Sequence, residues 1–221
     1  MGIPATGQSV QLPHLDIWEF QGDKIKKITT YMDNLGVMIQ LGLMPVGELP
    51  ALEPSFTLPD AEATGLSPLD AQAEAMSRWN THDMALWAKM FRPDADIFYN
   101  VLGIPIDRDA LVALQSLYFV GVPDIQGEIV RMVAMGDGWV LTEAVFPGTH
   151  DGPYLGVPAT GSPMINRVAW IERFDADGVA TAFHVYFDNF GVLVQIGAVP
   201  PPGATTVSPS TWGQIKAAFQ K

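Results

Sequence analysis

The sequence contains no cysteine in 221 residues and has few basic residues, with 12 Lys and Arg against 24 Asp and Glu. The absence of cysteine excludes disulfides, thiolate nucleophiles and cysteine-based zinc sites. The charge balance gives a net charge of -12. Such an acidic surface repels phosphate backbones and anionic lipids, so we expect neither nucleic acid nor a membrane surface as a partner.

Targeting and metal-binding patterns are also missing. The N-terminus lacks a basic stretch followed by an apolar run, and no apolar run approaches the roughly 18–20 residues of a membrane helix, so we expect a cytoplasmic protein. The four histidines lack helix-type ligand spacing, such as two His four residues apart beside a Glu. Phosphate-binding loops and nucleophile elbows are absent as well. We therefore expect neither a metal nor a cofactor.

The composition predicts a sizeable core, since 48% of the residues are hydrophobic and 16% are charged. A phrase near the N-terminus returns late in the chain: GIPATG, which begins at Gly2, becomes GVPATG at Gly156. Residues 2–45 and 156–200 then stay in register with one inserted residue. Both copies contain Asp-Asn, at 33–34 and 188–189. Both then contain a Gln, at Gln40 and Gln195, with a Gly two residues later. The order of these identities indicates an internal repeat.

The second copy has a long segment before it, whereas the first has only Met1. We therefore predict a back-part domain fragment at 1–45, a linker rich in Pro, Glu and Ala at 46–65, a complete domain at 66–202, and a C-terminal helical tail at 203–221. Unpaired fragment strands would expose an open sheet edge. We expect them to pair with the complete domain as a pseudo-dimer, with a partner chain in a homodimer, or with a front half in a longer protein.

Helix signals come first in the complete unit. Ser67 and Pro68, with Asp70 in the first turn, predict a helix start, and Asn80 to Asp83 separates two short helices. A third helix is predicted over 107–119. Strands on either side of GDG and DADG turns follow. This order predicts an α+β fold with helices packed on one face of a curved antiparallel sheet, which leaves a pocket between the layers.

Three stretches, GTHDGPYLGVPATG, IERFDADGVA and YFDNFGVLVQIGAVP, resemble the SnoaL-like polyketide cyclase (ester cyclase) family over about Ser67 to Pro200. The resemblance implies the cone-shaped nuclear transport factor 2-like fold. It also implies cofactor-free ring closure by an acid–base aspartate assisted by a histidine and amides. In our register the place of the aspartate falls at Val185, that of the histidine at Ile171, and that of an early asparagine near Ile97. The chemical groups of the known ring closure are therefore missing, and we expect another reaction.

We predict three catalytic residues, which are His150, Asp188 and Tyr99. His150 matches the family's GTHxG stretch, and histidine exchanges protons near neutral pH. Tyr99 can stabilise a substrate oxygen. Asp188 can do chemistry or cap the last helix. Predicted substrate-binding residues are Asn100, Trp79, Trp170, His184 and Tyr118. If strand parity follows our register, however, His184 faces away from the pocket.

Two functions follow from the sequence. One is a cofactor-free acid–base enzyme, such as a cyclase, isomerase or retro-aldol lyase, that acts on an apolar carbonyl compound or a polycyclic aromatic molecule. The other is a non-catalytic module with the same fold that binds a small apolar molecule or mediates assembly. A pocket in which two or more polar groups converge would favour the enzyme.

Overall fold

The computed structural model describes residues 5–44, 53–101 and 103–199. The elements, in chain order, are β1 (His14–Gln21), β2 (Lys24–Met32), α1 (Asn34–Gln40), α2 (Pro68–Asn80), α3 (Met84–Ala88), β3 (Phe91–Tyr99), β4 (Ile104–Ile106), α4 (Arg108–Gly121), β5 (Glu128–Gly136), β6 (Trp139–Thr149), β7 (Pro163–Phe174), β8 (Ala180–Phe187) and α5 (Asn189–Gln195). The predicted tail at 203–221 lies outside the described residues.

The predicted starts of α2 and α4 are confirmed, because each helix of the second unit begins at a capping side chain, whereas α4 ends at Gly121, two residues beyond the predicted end. The Ser67 hydroxyl accepts a hydrogen bond from the Asp70 backbone N–H at 3.3 Å and so caps α2. Asp83 caps α3, and Asp107 caps α4 in the same way. The break predicted between the first two helices lies where α2 ends and α3 begins.

A six-stranded sheet in the order β4-β3-β8-β7-β6-β5 forms one layer of the α+β fold. Its neighbouring strands are antiparallel, as expected, except for β3 and β8, which are parallel. The cause is the path of the chain. After β4, α4 carries the chain to the far edge, and three antiparallel turns bring it back to lie beside β3.

Strand alternation divides the sheet into an inner face, which is covered by α2, α3 and α4, and an outer face. Phe183, Val185 and Phe187 of β8 are buried on the inner face. Trp170 pairs with Val185 across the strands and shares that face, whereas Ile171 pairs with His184. Because the period is two, His184 points to the outer face, as the parity argument predicted.

Residues 5–44 repeat the hairpin-then-helix geometry of β7, β8 and α5, down to single hydrogen bonds. The side chain of Gln40 accepts from the Gln11 N–H at 2.7 Å and donates to the Gln11 carbonyl at 2.9 Å. Gln195 makes the same pair of bonds to Ile165, at 2.8 and 3.1 Å. Each glutamine thus ties its helix to the beginning of its own hairpin.

The two equivalent helices meet at their N-termini through aspartates. Asp33 caps α1 by accepting from the backbone N–H groups of Leu35 and Gly36. Asp188 caps α5 and also accepts from the Asn34 side chain at 3.1 Å. Burial, together with the nearby Asp188 charge, raises the pKa of Asp33 to about 7. The contact therefore contains a carboxyl that titrates near neutral pH.

The hairpin of β1 and β2 contacts the outer face of the sheet through a polar cluster. The Tyr31 hydroxyl donates to the Glu143 carboxylate of β6 at 2.9 Å. Arg131 of β5 donates to the same carboxylate and also forms an ion pair with Glu19 of β1 at 3.2 Å. The bonds of Tyr31 to Glu143 and of Glu19 to Arg131 each join residues 112 positions apart and fix the hairpin against the sheet.

Replacing Tyr31 with Phe is expected to lower the free energy of unfolding by about 2 kcal/mol, the usual net value of a hydrogen bond to a charged group. Glu143 keeps Arg131 as a partner, so no unpaired buried charge results. Tyr186→Phe is the matched control, because the Tyr186 hydroxyl makes no hydrogen bond to another described residue. Urea denaturation monitored by tryptophan fluorescence measures both. Equal stability of the two variants would contradict the prediction.

Candidate functional site

A cavity lies between the inner face of the sheet and helices α2, α3 and α4. Its volume is about 640 Å³ when the open space at its mouth is included. Nine of its 17 described lining residues are aromatic, among them Trp79, Trp87, Phe91, Phe146, Phe183 and Phe187. An apolar concavity with few polar groups is typical of small-molecule sites.

Glu172 is the carboxyl group of this cavity. It lies on β7 two residues after Trp170, so both side chains share the inner face, and it is 1% exposed. The Trp170 indole N–H donates to Glu172 Oε2 at 3.2 Å and to Gln72 Oε1 at 3.1 Å. Glu172 Oε1 has no hydrogen-bond partner among the described residues. One oxygen is therefore held in place, and the other is available to a bound molecule.

The environment of Glu172 favours its protonated form. Burial raises the pKa of Glu172 to about 8, against the opposing effects of hydrogen bonding by the Trp170 and Gln72 side chains, which favours the carboxylate. The group is therefore mostly neutral at pH 7 and ionises just above it. A carboxyl with a pKa near the working pH can both donate and accept a proton, as a general acid–base group must.

Two tyrosine hydroxyls line the cavity, and each accepts a hydrogen bond from a side-chain amide that also lines it. Tyr99 accepts a hydrogen bond from Gln115 Nε2 at 3.3 Å, and Gln115 Oε1 accepts one from the Trp79 indole at 3.0 Å. Tyr118 accepts one from Asn166 Nδ2 at 3.1 Å. Burial raises the pKa of Tyr99, so the phenol keeps its proton at neutral pH and can donate it in a hydrogen bond.

Four of the eight residues predicted for the site line this cavity, namely Tyr99, Trp79, Trp170 and Tyr118. The other four, His150, Asp188, Asn100 and His184, are not among its lining residues. The structure thus brings the predicted wall and the predicted tyrosine donor together. It separates them from the predicted histidine and aspartate.

His150 lies in the loop beyond β6, outside the cavity, and is completely buried. Its ring Nδ1 is 3.0 Å from the Thr160 hydroxyl, and its carbonyl accepts from the N–H groups of Thr160 and Gly161, both at 3.0 Å. Burial lowers the pKa of His150, which favours the neutral ring. These contacts tie His150 to the PATG turn, and the catalytic role predicted for His150 from sequence stays a prediction.

Asp188, Asn100 and His184 also have partners away from the cavity. Asp188 caps α5 and contacts Asn34, which is the capping role that the sequence left open. Asn100 is buried beyond the end of β3 and donates to the Phe187 carbonyl at 2.8 Å, so it joins β3 to the end of β8. His184 lies on the outer face, 3.0 Å from Asp96 Oδ2.

The cavity residues missed in the sequence are Glu172, Gln72, Gln115 and Asn166. The position of Glu172 in the cavity wall could have been predicted from the sequence, because Trp170 was expected in the wall and residues two apart on a strand share a face. The family histidine's place was assigned to Ile171, which faces outward. On β7 the inner positions beside it belong to Trp170 and Glu172.

Neither a metal cluster nor a membrane helix is found in the part of the chain that the structure describes. Within residues 5–44, 53–101 and 103–199, no three His, Asp or Glu side chains come together as a metal-ligand group. None of the helices in these ranges has the length and apolar character needed to span a bilayer.

The fold and the apolar cavity are of the kind found in proteins that bind small molecules. Comparison with known protein families identifies the family. This chain belongs to the SnoaL-like polyketide cyclase family, whose family model matches residues 70–196, more than half of its length. No curated protein matches the sequence.

Solved structures with the same fold include IdmH, a putative polyketide cyclase from Streptomyces antibioticus. It is 27% identical with a TM-score of 0.54, and the match covers 60% of this chain and 99% of that one. AclR, a putative hydroxylase from Streptomyces galilaeus, is 23% identical with a TM-score of 0.55, over 60% and 97% of the two chains. A putative SnoaL-like polyketide cyclase from Jannaschia sp. CCS1 is 20% identical with a TM-score of 0.54, over 61% and 94%. At these identities the last two show the fold alone.

Proposed function

We propose that this protein is a cofactor-free acid–base enzyme, of the cyclase or isomerase type, that transfers a proton to and from carbon in a neutral carbonyl compound. The observation that carries the proposal is the buried Glu172, which has one oxygen held by Trp170 and the other without a partner in an aromatic cavity. Membership of the SnoaL-like polyketide cyclase family supports the reaction class.

In the proposed reaction, Glu172 first takes a proton from the substrate and later gives it back. The carboxylate form of Glu172 takes a proton from the carbon beside a substrate carbonyl, and the C–H electron pair forms an enolate. The enolate oxygen accepts a hydrogen bond from Tyr99, which lowers the cost of the developing charge. In isomerisation, Glu172 returns the proton to another carbon. In ring closure, the enolate carbon bonds to a second carbonyl, and Glu172 protonates the resulting alkoxide.

The lining favours an uncharged, flat substrate. Among the described lining residues there is no Lys or Arg, and Glu172 is the single carboxyl. An anionic substrate would therefore be desolvated without a counter-charge. The aromatic side chains offer large apolar surfaces that pack against rings. We infer that a neutral, apolar ketone or polycyclic carbonyl compound is the class of ligand.

A binding module without catalysis is the second candidate. It is favoured by Val185, which stands on the inner face where the family resemblance places an acid–base aspartate. The two functions differ in one observable property, because a binding module retains a bound ketone without exchanging its protons.

Glu172→Gln is expected to lower the rate of α-proton exchange in bound 2-tetralone at least 100-fold, the typical contribution of one acid–base group. Wild-type kcat/KM should rise with pH and level off above about 8, the pKa of Glu172, because the carboxylate is the initiating base. The measurement is deuterium incorporation in D2O followed by NMR, with binding measured separately by quenching of tryptophan fluorescence.

Glu128→Gln serves as the control for this experiment, because Glu128 is an exposed carboxylate on the edge strand β5. It should exchange at the wild-type rate. If wild-type protein binds 2-tetralone but exchanges its protons no faster than Glu172→Gln, the acid–base proposal fails and the binding module is favoured. If 2-tetralone does not bind at millimolar concentration, the proposed ligand class is wrong.

A further inference from the structure

Three elements meet in a hydrogen-bonded chain at the wall of the cavity: Trp79 of α2, Gln115 of α4 and Tyr99 of β3. Trp79 is held firmly, since it is 5% exposed and its ring packs 4.7 Å from that of Phe119 and 5.0 Å from that of Phe146. Its indole N–H lies 3.0 Å from Gln115 Oε1. The chain therefore begins at a side chain that packing keeps in one orientation.

The direction of every hydrogen bond in this chain follows from Trp79. An indole nitrogen can only donate, so the oxygen of the Gln115 amide must face it. The NH2 group of Gln115 then faces Tyr99, 3.3 Å away, and the Tyr99 oxygen must accept. Amide orientation is normally ambiguous, because oxygen and nitrogen have the same shape, but a donor-only neighbour removes the ambiguity.

The consequence concerns the proton of Tyr99. Its oxygen already accepts from Gln115, and it donates to no other described residue, so its O–H is free to donate to a bound molecule. Tyr118 differs, because Asn166, the amide beside it, makes no hydrogen bond with a donor-only partner among the described residues. The donor direction is therefore fixed by the protein at Tyr99 and not at Tyr118.

We propose that Gln115 is a positioning residue that holds the Tyr99 hydroxyl as a hydrogen-bond donor to the carbonyl or enolate oxygen of the substrate. This inference rests on the proposed function, because it assigns the oxygen-binding partner of the proton transfer by Glu172. Gln115 acts through Tyr99 and does not itself take part in the chemistry.

Gln115→Glu tests the proposal by reversing one bond while keeping the shape. Measured at pH 9, above the pKa of about 8 that burial in the same cavity gives Glu172, the carboxyl introduced at 115 is ionised. It still accepts from Trp79, but it also accepts from Tyr99 and so takes the proton that the substrate oxygen needs. We expect the exchange rate of 2-tetralone to fall about 100-fold, the typical effect of losing one oxyanion donor. Gln115→Met, which leaves the Tyr99 proton free to rotate, should reduce the rate less.

A purely structural role predicts the opposite order, because Gln115→Glu keeps the Trp79 bond and Gln115→Met loses it. In a Tyr99→Phe background, Gln115→Glu should have no additional effect on the rate. The infrared carbonyl stretch of bound 2-tetralone gives a readout that needs no catalysis: we expect it to shift to higher frequency in Gln115→Glu and in Tyr99→Phe alike.

The outcomes separate the two proposals. Exchange that depends on Glu172 but is unchanged in Gln115→Glu, with an unshifted carbonyl stretch, overturns the role of Gln115 alone. Wild-type exchange no faster than that of Glu172→Gln overturns the proposed function. In that case, a carbonyl shift in Gln115→Glu would still establish Tyr99 as the oxygen-binding donor.

Discussion

Glu172→Gln is expected to remove most of the loss of stability that the wild-type protein suffers between pH 5 and pH 8. The folded-state pKa of Glu172 is about 8, against an ordinary value of 4.5. Between these values the folded protein keeps a proton that the unfolded chain has released, so the free energy of unfolding falls as pH rises. The stabilisation is complete below pH 4.5 and is lost as pH rises through 8.

The size of this effect follows from the same two values. A difference of one unit between the folded and unfolded pKa corresponds to about 1.36 kcal/mol. The difference between 4.5 and about 8 therefore limits the loss of unfolding free energy to about 5 kcal/mol. Gln is neutral at every pH and resembles the protonated carboxyl in shape. The variant should therefore be similar to wild type at pH 5 and more stable by several kcal/mol at pH 9.

Urea denaturation at each pH unit from 5 to 9 measures the free energy of unfolding of both proteins. Glu128→Gln, at an exposed position, should follow the wild-type curve. A residual slope that ends as pH rises through about 7 is expected from Asp33, whose pKa is raised from 3.8 to about 7, and Asp33→Asn in the Glu172→Gln background should flatten it. Parallel curves for wild type and Glu172→Gln would show that Glu172 is ionised in the folded protein at neutral pH.

His150→Ala is expected to lower the free energy of unfolding by about 3 kcal/mol, as cavity-creating substitutions of buried side chains do. The substitution empties a fully buried site and removes the bond between Nδ1 and Thr160. The remaining folded protein should exchange 2-tetralone protons at the wild-type rate, because His150 does not line the cavity.

His184→Ala is the control for this comparison. The His184 side chain is 23% exposed on the outer face of the sheet, and its partner Asp96 is 68% exposed. A pair of this kind contributes at most about 1 kcal/mol. If His150→Ala folds with wild-type stability and loses exchange activity, the catalytic role predicted for His150 from sequence is correct and the structural role described above is wrong.

The sequence by itself determined the local structure of this protein. Ser67 and Asp107 predict helix starts because their side chains accept hydrogen bonds from backbone N–H groups in the first turn. The first N–H groups of any helix need such a partner, wherever the helix packs in the fold. The two Asp-Asn pairs and the two glutamines repeat in register, and each glutamine makes the same pair of bonds within its own copy, 29 positions back from Gln40 and 30 positions back from Gln195. Period-two alternation likewise placed Val185 inward and His184 outward.

Only the tertiary structure decided which polar groups meet. Alternation along β7 groups Glu172 with Trp170 and separates both from Arg167, but both faces contain apolar and charged residues, so the pattern does not reveal that Glu172 is buried with one oxygen left without a partner among the described residues. Glu172 gains its raised pKa from burial beneath α2, and Tyr99 gains its fixed direction from residues of α2 and α4. These contacts join positions 16 to 98 residues apart. Their geometry depends on how the layers pack, which a local sequence pattern does not encode.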